Sequence, residues 1–397
     1  MTYRQARLKQ RAEHFCLLPL VWLGMAIAIF YKKPNRGQVF LIFPNRDRGG
    51  SYKVNADIAQ LVAPQLPLLL FTKKERNGGF RHLFNIEGTT LLDVSGQIDN
   101  KWYHPVNVVW RGILAAWING CPQPAVFGGE CIYFYKLLPH LRKRVKTIEL
   151  CHVNQWLNYT QAFVPFIQHR VFSTQKILRD HAAQYASHRV PAQYHSRLQF
   201  IDNKVDIPEP FWPTATHLQV LFIGRGSPQK RVPLMAEIAK QVKQQQPQIN
   251  FTLVGDVEAL VPNDVKPLVT IRTDVNKAEQ LTALYRQHHV LVLTSLFEGL
   301  PIVVMDMMAQ GRPIISTAVD GIPDYVQHEH NGLLINDVLN EDAVVSQGVT
   351  HILRLAAYDA LLRQLGANAR QFALAHFSSV VFDESYLQLL VPRGNYR

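Results

Sequence analysis

Two acids sit at the clearest strand-to-helix turn of the chain. The stretch Ser295 to Gly311 reads S-L-F-E-G-L-P-I-V-V-M-D-M-M-A-Q-G and puts Glu298 in a loop, with Asp306 eight residues on. The apolar run Val290 to Leu293 before it predicts a buried parallel strand. Pro301 suits the first position of a helix and Gly311 its end. The loop therefore lies at the carboxyl end of a strand and opens into a helix N-terminus. Open α/β sheets bind ligands there, and backbone N–H groups with the helix dipole favour an anion such as a phosphate. Along a continuous helix the two carboxylates would differ in direction by roughly 80°, so both can address one ligand. The alternative is a loop glutamate and a helix aspartate that face water. A second polar loop, Gly224 to Arg231 (G-R-G-S-P-Q-K-R), brings three cations to the end of the run Leu218 to Ile223.

The elements that must position these groups alternate between short apolar runs and helical periodicity. Strands are predicted at Val39–Phe43, Leu66–Phe71, Ala125–Gly129, Thr147–Cys151, Val171–Ser173, Leu218–Ile223, Phe251–Val254, Val290–Leu293, Pro313–Val319 and Asn331–Ile335. Helices are predicted between many of them, so the sheets are parallel with crossover helices. The loop Pro44 to Ser51 (P-N-R-D-R-G-G-S) joins the first strand to a helix in the manner of a doubly wound unit. Gly78 to Asn100 is Gly-rich and polar and reads as an irregular excursion. Ile201 to Trp212, rich in proline and polar residues, reads as a hinge between two domains. His152 stands at the end of the Thr147–Cys151 strand.

A chain of 397 residues, 47% hydrophobic and 18% charged, has room for two cores. Half of its net charge of +12 lies in residues 1–36, which hold seven Lys/Arg and one acid, Glu13. Between the two basic clusters runs Phe15 to Tyr31, uncharged and aliphatic. As a helix it would be about 25 Å long, short of a hydrocarbon core of roughly 30 Å, and Pro19 and Gly24 weaken it. Three placements are open: an interfacial or re-entrant anchor, a single span, or a helix packed on the protein. Nucleic acid is disfavoured, because the core of this arm is aliphatic rather than aromatic. The four cysteines have no metal-like spacing and read as buried thiols of a reducing compartment. The sequence contains no D-x-D.

Taken together these stretches resemble the GT-B glycosyltransferases, most closely the retaining family 4 type (glycosyl transferases group 1). Asn203-Lys204-Val205-Asp206 is similar to the family's N-G-V-D, with lysine for glycine. Gly224 to Lys230 is similar to its G-R-x-x-x-x-K donor loop. Ser295 to Asp306 resembles S-x-x-E-G-x-P-x-x-x-x-E, with aspartate for the last glutamate. The likeness covers Ile201 to Leu390 well and Val39 to Tyr185 loosely, and leaves residues 1–36 outside.

The resemblance implies two Rossmann-like, doubly wound α/β domains facing a central cleft. The expected divisions are a membrane-associating extension at 1–36, an acceptor domain at 37–205, a donor domain at 206–376, and a segment at 377–397 that returns to the first domain. The implied activity is that of a hexosyltransferase-type enzyme. A sugar passes with retention from a nucleotide donor, UDP-linked on family frequency, to a lipid-linked or cell-envelope glycan, as in lipopolysaccharide or exopolysaccharide synthesis. Arg225 would clamp the diphosphate bidentately and Lys230 add a point charge, so no metal and no cofactor are expected. Glu298 would accept from donor-sugar hydroxyls and Asp306 from the ribose. The N–H groups of Gly299 and Leu300 would face sugar or phosphate. Gly49 and Gly50 would let backbone approach the diphosphate, and His152 would contact the donor sugar. The departing phosphate takes the acceptor proton in this scheme, since the sequence names no obvious base. The expected partners are the donor, the glycan or lipid-linked acceptor and an anionic membrane surface, with the protein peripheral on the inner face of the cytoplasmic membrane. A GT-B epimerase and a non-catalytic GT-B scaffold are the alternatives.

Overall fold

The structure is a computed structural model and describes residues 2–47, 50–76, 79–100, 104–273, 275, 278–298 and 302–391. The chain forms two compact units, Met1–Asn203 with Phe382–Arg397, and Lys204–Val381.

The first unit is built on seven parallel strands: β1 (Val39–Phe43), β2 (Leu68–Phe71), β3 (Thr90–Asp93), β4 (Ala125–Gly128), β5 (Lys146–Cys151), β6 (His169–Phe172) and β7 (Leu198–Phe200), in the order β3-β2-β1-β4-β5-β6-β7. Alternate residues of β1 serve two cores. Val39, Leu41 and Phe43 pack with Ile58, Leu69 and Phe127, while Phe40 and Ile42 pack with Leu70, Leu114 and Phe134. The Ser379–Leu390 helix adds Phe382, Tyr386 and Leu390 to the former. Because helices cover both faces, every residue of β1, β2 and β4 is buried. The edge strand β3 instead alternates half-buried and exposed residues. It lies within the 78–100 segment read from sequence as irregular, and corrects that reading. Its one covered face supplies no continuous apolar run.

The basic and apolar arm is one helix, Tyr3–Phe30, begun by a capping box in which Thr2 and Gln5 exchange hydrogen bonds of 2.9 and 3.4 Å. At about 42 Å it is longer than the uncharged stretch alone, and Pro19 sits inside it. One face lies along the His104–Gly120 helix. The backbones meet at two glycines, where a Cβ on Gly24 would fall 2.0 Å from the Val109 carbonyl oxygen and one on Gly112 2.1 Å from that of Val21. Contacts run the length of the helix. Arg7 donates to the Ala162 carbonyl (2.8 Å), Glu13 pairs with Lys136, and the Trp117 indole donates to the Tyr31 carbonyl (2.9 Å). The opposite face exposes Leu8, Phe15, Trp22, Leu23, Ile29 and Phe30. Cys16 is exposed on this helix, whereas Cys121, Cys131 and Cys151 are buried. The expectation of four buried thiols is corrected at Cys16 because its segment is covered on one side only.

The second unit has six parallel strands: β8 (Gln219–Ile223), β9 (Asn250–Val254), β10 (Thr270–Arg272), β11 (Val290–Leu293), β12 (Ile314–Thr317) and β13 (Gly332–Ile335), in the order β10-β9-β8-β11-β12-β13. The helices Val232–Gln245 and Glu341–Ala357 share its main core through Ile238, Val242, Val345 and Ile352. Strand order reverses between β8 and β11, and in the first unit between β1 and β4. Those two points are where ligand sites of doubly wound sheets form.

Candidate functional site

Both polar loops of the second unit leave its sheet at the reversal, one after β8 and one after β11. They are stitched together. The Leu296 N–H donates to the Gln229 carbonyl (2.8 Å), the Gln229 amide donates to the Phe297 carbonyl (2.8 Å), and the Thr294 hydroxyl donates to the Lys230 carbonyl (2.9 Å). Arg231, in the left-handed region at φ 48°, turns its guanidinium onto the carbonyls of Thr294 (2.6 Å), Ser295 (3.1 Å) and Val338 (2.7 Å). Of the three loop cations this one is spent on backbone, and burial lowers its pKa. Nothing in the sequence distinguishes it from its neighbours.

Lys230 and Glu298 meet. Both are buried, and the ammonium pairs with the Glu298 carboxylate, which also accepts from the Ser295 hydroxyl at 2.6 Å. The Glu298 N–H donates to Asp320 Oδ2 (2.9 Å), and Asp320 itself is left-handed at φ 43°. Asp320 directly follows the Pro313–Val319 run, and no motif in the sequence marks it as a partner of this loop. Arg225 is exposed and has no acid within ion-pair distance among the described residues. The next residue donates its N–H to Asp256 Oδ1 at 2.7 Å, which holds the loop that carries Arg225. Asp306 is half-buried on the Ile302–Ala309 helix and interacts with Tyr285. Burial, then the charge and hydrogen bond of Asp306, raise the Tyr285 hydroxyl well above its ordinary value. Gly299 and Leu300 lie outside the described residues.

In the first unit Gly50 opens the Gly50–Leu61 helix at the end of the β1 loop, and Gly49 lies outside the described residues. His152 follows β5 in the wall of a cavity of about 510 Å³ that also takes in Tyr52, Asn55 and Trp156. Burial pushes the imidazole down to about 4, and its Nε2 has no hydrogen-bond partner among the described residues, so at neutral pH it presents an uncharged ring. The same wall holds Glu130, whose carboxyl burial pushes up to about 7. The strand predicted at Ala125–Gly129 ends one residue before this acid. Its burial comes from the β5 loop, some twenty residues on in the chain, so only the paired strands reveal it.

Residues 217–353 match the family Glycosyl transferases group 1. The second unit is a group 1 glycosyltransferase domain. The matched span contains both loops, Asp306 and Asp320. The chain is 26% identical over 188 residues to a trehalose synthase of Pyrococcus horikoshii, covering 43% of each. It is 33% identical over 129 residues to the UDP-Gal:alpha-D-GlcNAc-diphosphoundecaprenol alpha-1,3-galactosyltransferase of Escherichia coli, covering 29% of this chain and 32% of that one. The chain spans under half the length of the curated relatives it matches. A glycosyltransferase structure from Rickettsia africae ESF-5 aligns with a TM-score of 0.67 over 90% of this chain and 99% of that one, at 13% identity. The group 1 domain and the unit before it therefore have the GT-B fold.

Proposed function

We propose that the protein is a retaining, metal-independent glycosyltransferase that moves a sugar from a UDP-linked donor to a lipid-linked or envelope glycan acceptor. The observation that carries the reading is the meeting of two loops, with Arg225, Lys230 and Glu298, at the strand reversal of the group 1 domain. Arg225 is exposed, with no acid within ion-pair distance among the described residues, and a guanidinium fork matches a diphosphate. Such fixed charge matters most as the leaving group becomes anionic. Lys230 adds to that charge, Glu298 addresses the donor sugar and Asp306 the ribose. Gly50 lets the backbone approach the diphosphate, and His152 offers a neutral ring to the sugar; the donor roles read for Gly49, Gly299 and Leu300 fall outside the described residues. The name of the Escherichia coli relative states a UDP-galactose donor and a diphosphoundecaprenol acceptor, which supports the same pairing of substrate classes here. Arg225→Ala is expected to weaken UDP binding by about 1.5–3 kcal/mol, the range for hydrogen bonds to a charged group. Calorimetry with UDP checks it, and unchanged affinity on an intact fold would count against the assignment.

We further infer that the Tyr3–Phe30 helix lies in the plane of the cytoplasmic membrane face. It is long and apolar enough to cross a membrane, but one face is packed on the first unit along its length, and the exposed face is apolar. A helix so packed can sink that face into the acyl boundary while Arg4, Lys9 and Arg11 reach anionic headgroups, each gaining about 1 kcal/mol. A spanning orientation that left the second unit with the cytoplasmic nucleotide sugars would carry Arg4, Arg7, Lys9 and Arg11 across the bilayer, against their charge. With Cys16 replaced by serine, Thr2→Cys should label in inverted inner-membrane vesicles and not from the periplasmic side. Periplasmic labelling would restore the single span.

A further inference from the structure

Within the second unit, the tetrapeptide Ser295–Glu298 is held from two sides. Gln229 and Arg231 fasten it from the loop after β8. On the other side lies β12, which pairs with β11 in parallel, Ser316 opposite Leu293. Thr317, the last residue of β12, is buried and donates its hydroxyl to the Ser295 carbonyl (2.6 Å). Three residues on, Asp320 Oδ2 accepts the Glu298 N–H (2.9 Å). These two bonds grip both ends of the tetrapeptide. A third, from the Ser295 hydroxyl to Glu298 Oε1 (2.6 Å), closes it on itself.

The backbone at Asp320 is unfavourable for an aspartate. The Ile322 N–H donates to the Val319 carbonyl (2.9 Å) and closes the turn Val319-Asp320-Gly321-Ile322 between two buried apolar residues. In that turn φ is 43° at Asp320 and −85° at Gly321. Those are the signs of a type II′ turn, which favours glycine at its first central position. Here the glycine stands one place late, where most residues fit, and the aspartate takes the place that suits glycine. A residue persists in such a conformation where its surroundings enforce it, and such residues cluster at functional sites. Asp320 is exposed, so packing does not enforce it. What its side chain engages, among the described residues, is the Glu298 N–H.

We propose that Asp320 is a positioning residue of the donor site: by holding the Glu298 main chain it aims the Glu298 carboxylate at the hydroxyls of the donor sugar. The proposal rests on the glycosyltransferase reading above, in which Glu298 addresses that sugar. Lys230 and Ser295 pin the carboxylate at its far end, and Asp320 pins the residue at its N–H. Fixed at both ends, the side chain has little room to swing. A displacement of about 1 Å at a reacting centre can cost about 100-fold in rate, so the loss of one of these restraints should show in turnover. The nucleotide, held by Arg225 and Lys230 in the same reading, should not feel it.

The test uses the full chain with Asp320→Gly and Asp320→Asn. Glycine accepts the positive φ and removes the carboxylate. Asparagine keeps an acceptor oxygen and tolerates the same backbone. Thermal midpoints, UDP affinity by calorimetry and the rate of UDP release from a panel of UDP-hexoses are measured for each. Asp320→Gly should melt no lower than wild type, because it relieves the strained turn, and should bind UDP as wild type does. Its rate of UDP release should fall by about 10–100-fold. Asp320→Asn should recover most of that loss. An Asp320→Gly chain with the wild-type rate overturns the proposal. So does an Asp320→Asn chain as slow as Asp320→Gly, since the accepting oxygen would then not matter. Loss of thermal midpoint and UDP affinity together with the rate in Asp320→Gly would make Asp320 a brace of the fold only, and overturns the proposal too. A wild-type chain that neither binds UDP nor releases it from any UDP-hexose overturns the donor reading instead, and that failure shows in the wild type rather than in the variants.

Discussion

Glu149→Ala should lower the stability of the first unit by about 3–5 kcal/mol, because it breaks a buried ion pair and leaves one charge behind. Glu149 on β5 and Arg170 on β6 are register partners. Their side chains are 0% and 1% exposed, with Arg170 Nε 2.7 Å from Glu149 Oε2. Burial alone would lower the Arg170 pKa, and the neighbouring Glu149 and Tyr185 raise it on balance. Without the carboxylate the guanidinium keeps, among the described residues, only neutral partners, the hydroxyls of Tyr185 (2.9 Å) and Thr160. Tyr135 loses its acceptor as well. Removing both charges should do far less harm. Glu149→Met with Arg170→Met restores an apolar interior, which is often neutral against a buried pair. Denaturant midpoints for the single and double variants give the comparison. A single variant within about 1 kcal/mol of wild type would mean that the charge finds water or another partner.

The strands that were readable from the sequence are mostly those covered on both faces. β1, β2, β4 and β11 are continuous apolar runs because each needs two buried faces. The strands that went unread are β3, β7 and β10, all at sheet edges. Their residues are half-buried or exposed throughout, so no apolar run marks them. The loops with Arg225, Lys230 and Glu298 stand out because a strand, a polar turn and a helix start occur in order. Their pairing does not. Lys230 and Glu298 are 68 residues apart and touch because β8 lies beside β11. Glu130 was invisible for the same reason, since an acid after a Gly-Gly turn looks solvated until β5 is set beside β4. The arm was readable as apolar with basic ends, but the glycine contact that docks it is a property of two helices together.

The Lys230–Glu298 pair sets up opposite outcomes for its two members. Lys230→Ala should cost the second unit about 3–5 kcal/mol, since it leaves a largely buried carboxylate unpaired. The side chains are 11% and 8% exposed, too little for water to replace the ammonium. What remains for Glu298 is the Ser295 hydroxyl at 2.6 Å and the Gln229 amide at a weak 3.5 Å. Glu298→Gln should cost less, because an amide oxygen still accepts from the ammonium. Ligand binding should divide the pair in the other sense. If Lys230 serves the diphosphate, it must share its charge between Glu298 and the phosphate oxygens. Neutralising Glu298 removes that competition, so Glu298→Gln should bind UDP at least as tightly as wild type while losing turnover of the UDP-sugar. Lys230→Ala should lose affinity for UDP itself. Calorimetry with UDP and UDP release from UDP-hexoses separate the two effects. Equal losses of UDP affinity in both variants would put the carboxylate on the nucleotide and remove Glu298 from the sugar.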